Sequence, residues 1–138
     1  MKKTIWVNGC FDVLHRGHFE LFKFCKAIGN WLVVGIDSDV KVRHDKGPTR
    51  PVNTEEDRKF VLERLQDVDE VVVFNTTSEL EACVKNLSPD FMIVGSDWKD
   101  KKIVGSEHAK NLLFFDRLGD YSTTSILNVR RSEKNETK

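Results

Sequence analysis

The segment Asn8-Gly-Cys-Phe-Asp-Val-Leu-His-Arg-Gly-His18 decides how the rest of the chain is read. Before it stands a short run rich in β-formers, Thr4 to Asn8. After it comes a broad apolar stripe near helical period, His18 to Ala27, which includes Phe19, Phe22 and Cys25. A strand, a glycine-containing turn and a helix therefore meet here. Amides at a helix amino terminus attract phosphate, Gly9 and Gly17 let backbone approach a ligand closely, and His15 and His18 add imidazole donors. Taken alone, the histidine pair also fits a chance surface pair, or half of a metal site whose other ligands are missing.

Working outward, Trp31 to Ile36 is a nearly unbroken apolar run of strand length, as a parallel strand covered on both faces requires. Thr54-Glu-Glu-Asp57 resembles a capping box with Asp in place of Glu, and Phe60, Val61, Leu62 and Leu65 continue at helical spacing. This predicts a helix before the strand Val71 to Phe74. Ser78-Glu-Leu-Glu81 repeats the start signal, and Leu80, Val84 and Leu87 mark the apolar face. Pro89 ends that helix ahead of a strand from Phe91 to Gly95. Leu112 to Phe115 can form a fifth strand, and Ser122-Thr-Thr124 stands where a last helix would begin. The alternation predicts the α/β class: a single doubly wound, Rossmann-like domain over residues 1–131, with a mostly parallel five-stranded sheet. A charged, disordered tail is expected over residues 132–138. Ligands of such sheets bind at the strands' carboxyl ends.

Bulk properties narrow the function. With 138 residues, 32% charged and 39% apolar, the chain suits one compact domain. Lys plus Arg and Asp plus Glu both number 22, so no global field recommends nucleic acid or an anionic membrane as a partner. The apolar runs are too short to span a bilayer. Polar Asn8 and Asp12 interrupt the stretch after the opening Met-Lys-Lys-Thr, so no signal-type apolar region develops and a cytoplasmic location is expected. Cys10, Cys25 and Cys83 lack a CxxC or Cys/His pattern and read as reduced thiols, leaving no metal-ligand set. The turn at Gly9-Cys-Phe-Asp is not the GxGxxG of a dinucleotide-binding Rossmann domain.

GCFDVLHRGH, residues 9–18, resembles the first signature of the nucleotidyltransferases that include cytidylyltransferases and several adenylyltransferases. Tyr121-Ser-Thr-Thr-Ser-Ile126 is similar to that superfamily's second, serine and threonine motif, although the same hydroxyls would also serve as a simple helix cap. The resemblance covers roughly Thr4 to Arg130. It implies that His15 and His18, with Lys46, steady the α-phosphate of an NTP while a phosphate oxygen of the second substrate attacks and pyrophosphate leaves. It implies nucleotide contacts at Gly9, Cys10, Phe11 and Gly17 in the first motif, and at Ser122, Thr123 and Thr124 in the second. It further implies Mg2+ as cofactor, held mainly through the NTP phosphates, and a homodimer.

The substrates are read from other segments. KGPTRPVN (46–53) and DRKFVLERLQDVDEVVVF (57–74) resemble the bacterial heptose 1-phosphate adenylyltransferases, as do PDFMIVGSDW (89–98) and IVGSE (103–107). That resemblance implies ATP and a phosphorylated sugar as partners, with ADP-heptose as product. It places Asp97 and Trp98 by the nucleotide and Asp12, Arg50 and Arg58 by the second substrate. Lys46, Arg50 and Arg58 would act from a turn-rich, mobile basic loop. Packing alone would also account for Trp98, and a solvated loop for Arg50. Gly95-Ser-Asp stands where these enzymes usually have Gly-Gly-Asp, and Lys110-Asn111 replaces their Gly-Gly. Asp97-Trp98 and Arg117 are also similar to glycerol 3-phosphate cytidylyltransferases, which keeps CTP and a polyol phosphate as the alternative. A nucleotide-binding protein without catalysis is the remaining one.

Overall fold

The computed structural model describes residues 2–116. Five strands, β1 (Thr4–Gly9), β2 (Trp31–Asp37), β3 (Glu70–Phe74), β4 (Phe91–Gly95) and β5 (Asn111–Phe115), form one sheet in the order β3-β2-β1-β4-β5. Every pairing is parallel. The helices are α1 (Arg16–Ile28), α2 (Asp39–Lys46), α3 (Glu55–Glu63) and α4 (Thr77–Leu87), with short 3-10 turns at Ser96–Trp98 and Ser106–His108. The doubly wound sheet and its five strands match the reading of the sequence. The expected last helix at Ser122 and the tail lie outside the described residues.

Strand alternation sorts the core into two layers. Ile5, Val7, Leu32, Val34, Ile36 and Ile93 pack with Phe22 and Cys25 of α1 and Leu62 of α3. Trp6, Val33 and Met92 point the other way, to Leu80 and Val84 of α4. Gly35 permits this second layer to close, since a Cβ there would lie 2.4 Å from the Trp6 ring.

Two local expectations need correction. Helical spacing puts Phe19, Phe60 and Val61 on apolar faces, yet all three are exposed, Phe60 by 55%. The inward positions of α3 are Arg58 and Leu62, and Leu65 beyond it packs on the same layer. That is helical spacing with a cation at one buried place. The cap of α4 is Thr76, whose Oγ1 accepts the Glu79 amide at 3.1 Å while the Glu79 carboxylate accepts the Asn75 amide at 2.7 Å. The start signal thus lies two residues before Ser78.

Helix α2 is an element that the sequence reading did not include, since it has only Val42 buried and therefore no apolar period to reveal it. Its ends carry the signal instead. The Ser38 hydroxyl accepts the Lys41 amide at 3.2 Å, Asp39 sits in the first turn, and Arg43, His44 and Lys46 occupy the last. Gly47 then takes φ 104°, which a side chain would disfavour.

Candidate active site

Strand order reverses between β1 and β4, where the chain winds to either side of the sheet. These strands pair only at Ile5–Phe91 and Trp6–Met92, so their carboxyl ends separate. A cleft of about 820 Å³ opens there, and Gly9, Gly95, His15 and His18 line it.

The two imidazoles are built into the start of α1. His15 is the N-cap, and its Nδ1 accepts the Gly17 amide at 3.0 Å. His18 reaches back, and its Nδ1 accepts the His15 amide at 3.1 Å. This is the reciprocal capping box with histidine in both places. A backbone N–H can only donate, so neither Nδ1 bears a proton and each neutral ring carries its hydrogen on Nε2. Burial, then the neighbouring His15, lowers the His18 pKa to about 3. The His18 ring is therefore neutral, with its hydrogen on Nε2. The rings lie 4.0 Å apart between centroids.

The turn before them is held by its own residues. Phe11 has φ 50° and is buried, with its ring 5.4 Å from both His18 and Phe22. Gly9 leaves the space for this, because a Cβ would meet the Phe11 ring at 3.3 Å. Burial pushes the Cys10 thiol up, against the opposing pull of Lys46 and Arg58, so it stands in the cleft wall as a thiol.

Asp12 and Arg58 tie the neighbouring segments to this turn. The buried Asp12 carboxylate accepts the amides of Val52 at 2.6 Å and Asn53 at 2.8 Å, and lies 3.6 Å from Arg50 Nε. The Asn53 side chain donates back to the Asp12 carbonyl at 2.9 Å. Arg58 is 2% exposed and does not line the cleft. Its guanidinium donates to the carbonyls of Cys10 at 2.9 Å, Asp37 at 2.8 Å and Asn53 at 3.0 Å, and to the Asp39 carboxylate at 2.8 Å. The expectation of a mobile loop carrying Arg58 to the substrate gives way to a loop pinned at Asp12 and an arginine locked beneath the site.

Lys46 and Arg50 do line the cleft, as do Cys10, Phe11, Asp12 and Gly17. Trp98 borders it on the β4 side and is 47% exposed. Asp97 folds back over Gly95, where an added Cβ would lie 2.7 Å from its carboxylate oxygen. Arg117, Ser122, Thr123 and Thr124 lie outside the described residues. Four charged lining residues were not among the site residues expected from the sequence: Asp37, Lys41 and Asp45, from β2 and α2, and Lys102. The cap pattern of α2 is the only signal that could have found the middle two.

A family model described as Cytidylyltransferase-like matches residues 6–128. The chain belongs to the cytidylyltransferase-like family. Bifunctional protein HldE of Campylobacter fetus is 42% identical over 92% of this chain, and that of Helicobacter pylori strain Shi470 is 40% identical over 91%. The chain spans only 28% and 27% of those two proteins' lengths. Among solved structures, the lipopolysaccharide core biosynthesis protein of Thermoplasma volcanium superposes with a TM-score of 0.68 at 24% identity, covering 83% of this chain and 98% of that one. A protein of unknown function from Archaeoglobus fulgidus gives 0.63 at 16% identity, covering 88% and 94%. Both share the fold. This cytidylyltransferase-like chain is thus a nucleotidyltransferase-like domain homologous to one part of HldE. No helix among its described residues is long and apolar enough to cross a membrane.

Proposed function

We propose that this domain transfers a nucleoside monophosphate from an NTP to a phosphorylated small molecule and releases pyrophosphate. The observation that carries the reading is the His15–His18 capping box, which sets two imidazoles at the start of a helix, in the cleft where the sheet's winding reverses. An attacking phosphate oxygen displaces pyrophosphate at the α-phosphorus, so charge builds on oxygens while the protein forms no bond. The two imidazoles and Lys46 hold that charge, at the positive end of the α1 dipole.

Magnesium fits as an ion carried on the NTP. Of the cleft carboxylates, Asp12 is saturated by amides and Arg50 and Asp45 pairs with Lys41 at 2.8 Å, which leaves Asp37 alone and, among the described residues, no set of cleft carboxylates to cage an ion. The described cluster with ion-sharing spacing, Glu81, Glu107 and His108, lies outside the cleft. When bound, the ion neutralises phosphate charge; phosphates and water hold it.

For substrates we favour ATP and heptose 1-phosphate, giving ADP-heptose, on the strength of the 46–53 and 103–107 segments and the HldE homology. CTP with glycerol 3-phosphate is the second reading, motivated by Asp97-Trp98 at the cleft's edge. A cytoplasmic homodimer completes the proposal. The test is pyrophosphate release with four NTPs crossed against sugar and polyol phosphates. Turnover with ATP and heptose 1-phosphate is expected. Turnover only with CTP and glycerol 3-phosphate would shift the assignment, and binding of NTP with no turnover on any acceptor would leave a non-catalytic binding protein.

A further inference from the structure

Asp37, the last residue of β2, lines the cleft on the side opposite Trp98, Ile103 and Val104. The register Gly9–Ile36 sets it level with Cys10, and one nitrogen of Arg58 holds the main-chain carbonyls of both, at 2.9 and 2.8 Å. Its backbone is therefore fixed to the histidine turn.

The carboxylate is not used up by the fold. It is 17% exposed, and its cation is Lys41 at 3.9 Å, whose closer partner is Asp45 at 2.8 Å. No described residue donates a hydrogen bond to it. Burial pushes its carboxyl up despite Lys41. A partly desolvated carboxylate with vacant lone pairs is costly unless a ligand supplies donors. In a cleft that takes phosphate chains it also repels anions, so the ligand group that suits it is a neutral donor. Hydroxyls meet that need, while Lys41 and Lys46 beside it attract a phosphate.

We infer that Asp37 determines acceptor specificity, accepting hydrogen bonds from hydroxyls of a polyhydroxylated acceptor whose phosphate lies toward Lys46 and the histidines. This rests on the nucleotidyl-transfer reading, with the nucleotide base on the Trp98 side. The wall there is mainly apolar, with Trp98, Ile103, Val104 and Phe115 beside Lys102, and its flat apolar face suits a base.

The test is calorimetric binding of β-D-mannose 1-phosphate and of inorganic phosphate to the full chain saturated with a non-hydrolysable ATP analogue. Wild type is compared with Asp37→Asn and Asp37→Ser, each checked for folding by circular dichroism. Wild type should prefer mannose 1-phosphate, and the variants should lose about tenfold to a hundredfold of that preference while binding inorganic phosphate as well or better. A preference retained in both folded variants overturns the role of Asp37 and leaves the transfer reading standing. Equal weakening of both ligands also overturns it. A change in discrimination between ATP and 2′-deoxy-ATP, with acceptor preference intact, would assign the carboxylate to the nucleotide instead. If wild type binds neither phosphate ligand, the transfer reading fails and this inference with it.

Discussion

The amide nitrogen of His15 lies 3.1 Å from Nδ1 of His18, while His15 itself receives the Gly17 amide 3.0 Å away on its own Nδ1. Each imidazole uses its lone pair to close the turn that presents the other. The residues proposed for phosphate chemistry are therefore also the residues that begin α1, and their protonation is coupled to the helix start.

The first consequence is a pH dependence. His18 is held near a pKa of about 3, against 6.5 for an ordinary histidine. Between these values the unfolded chain takes the proton more readily than the folded one. The stability due to His18 is therefore complete above pH 6.5 and is lost progressively as pH falls toward about 3. Urea midpoints at pH 7.5 and pH 5 should fall for wild type, and fall less for His18→Gln. Pyrophosphate-release rates should show no step near pH 6.5 assignable to His18.

His18→Ala removes an Nε2–H donor to the reacting phosphate and should lower kcat by at least about a hundredfold. It also removes one arm of the cap, at about 1 kcal/mol of stability. Steady-state kinetics beside thermal melting separates the two. Near-normal turnover would take His18 out of the chemistry.

Asp12→Asn keeps the shape but replaces one acceptor oxygen with an NH2 facing an amide or Arg50. The expected loss is about 3 kcal/mol, because buried donors are left unmet. Since the loop carrying Arg50 is released at the same time, KM for the phosphorylated acceptor should rise more than kcat falls. Kinetics on the folded variant below its melting range checks this.

Arg58→Lys retains the charge, but one ammonium cannot span four acceptors on separate segments. We expect a loss of about 3–5 kcal/mol, read from the denaturant midpoint. A midpoint unchanged from wild type would mean that the clamp contributes little to holding the strand ends together.

The succession of elements was legible in the sequence because each strand is an apolar run bounded by turn residues, and α1 and α4 bury faces that repeat at helical spacing. The glycines and histidines of residues 9–18 announced their chemistry for a similar reason: a phosphate grip at a strand-to-helix turn depends on local backbone. Ser122 to Thr124 and Arg117, equally legible as a motif, lie outside the described residues. Tertiary structure alone decided the partners of charge. Arg58 reads as one more basic residue beside a loop, and only the convergence of the ends of β1 and β2 with the start of α2 turns it into a buried clamp. Asp12 likewise reads as part of a ligand motif until residues 52 and 53 arrive to take its oxygens. Helix α2, with a single buried residue, has no periodicity to betray it, so Lys41 and Asp45 came to the cleft unannounced. Hydrophobic pattern is a property of neighbours along the chain. The matching of a buried charge to its donors and acceptors is a property of segments far apart in sequence, and it exists only once the sheet has brought them together.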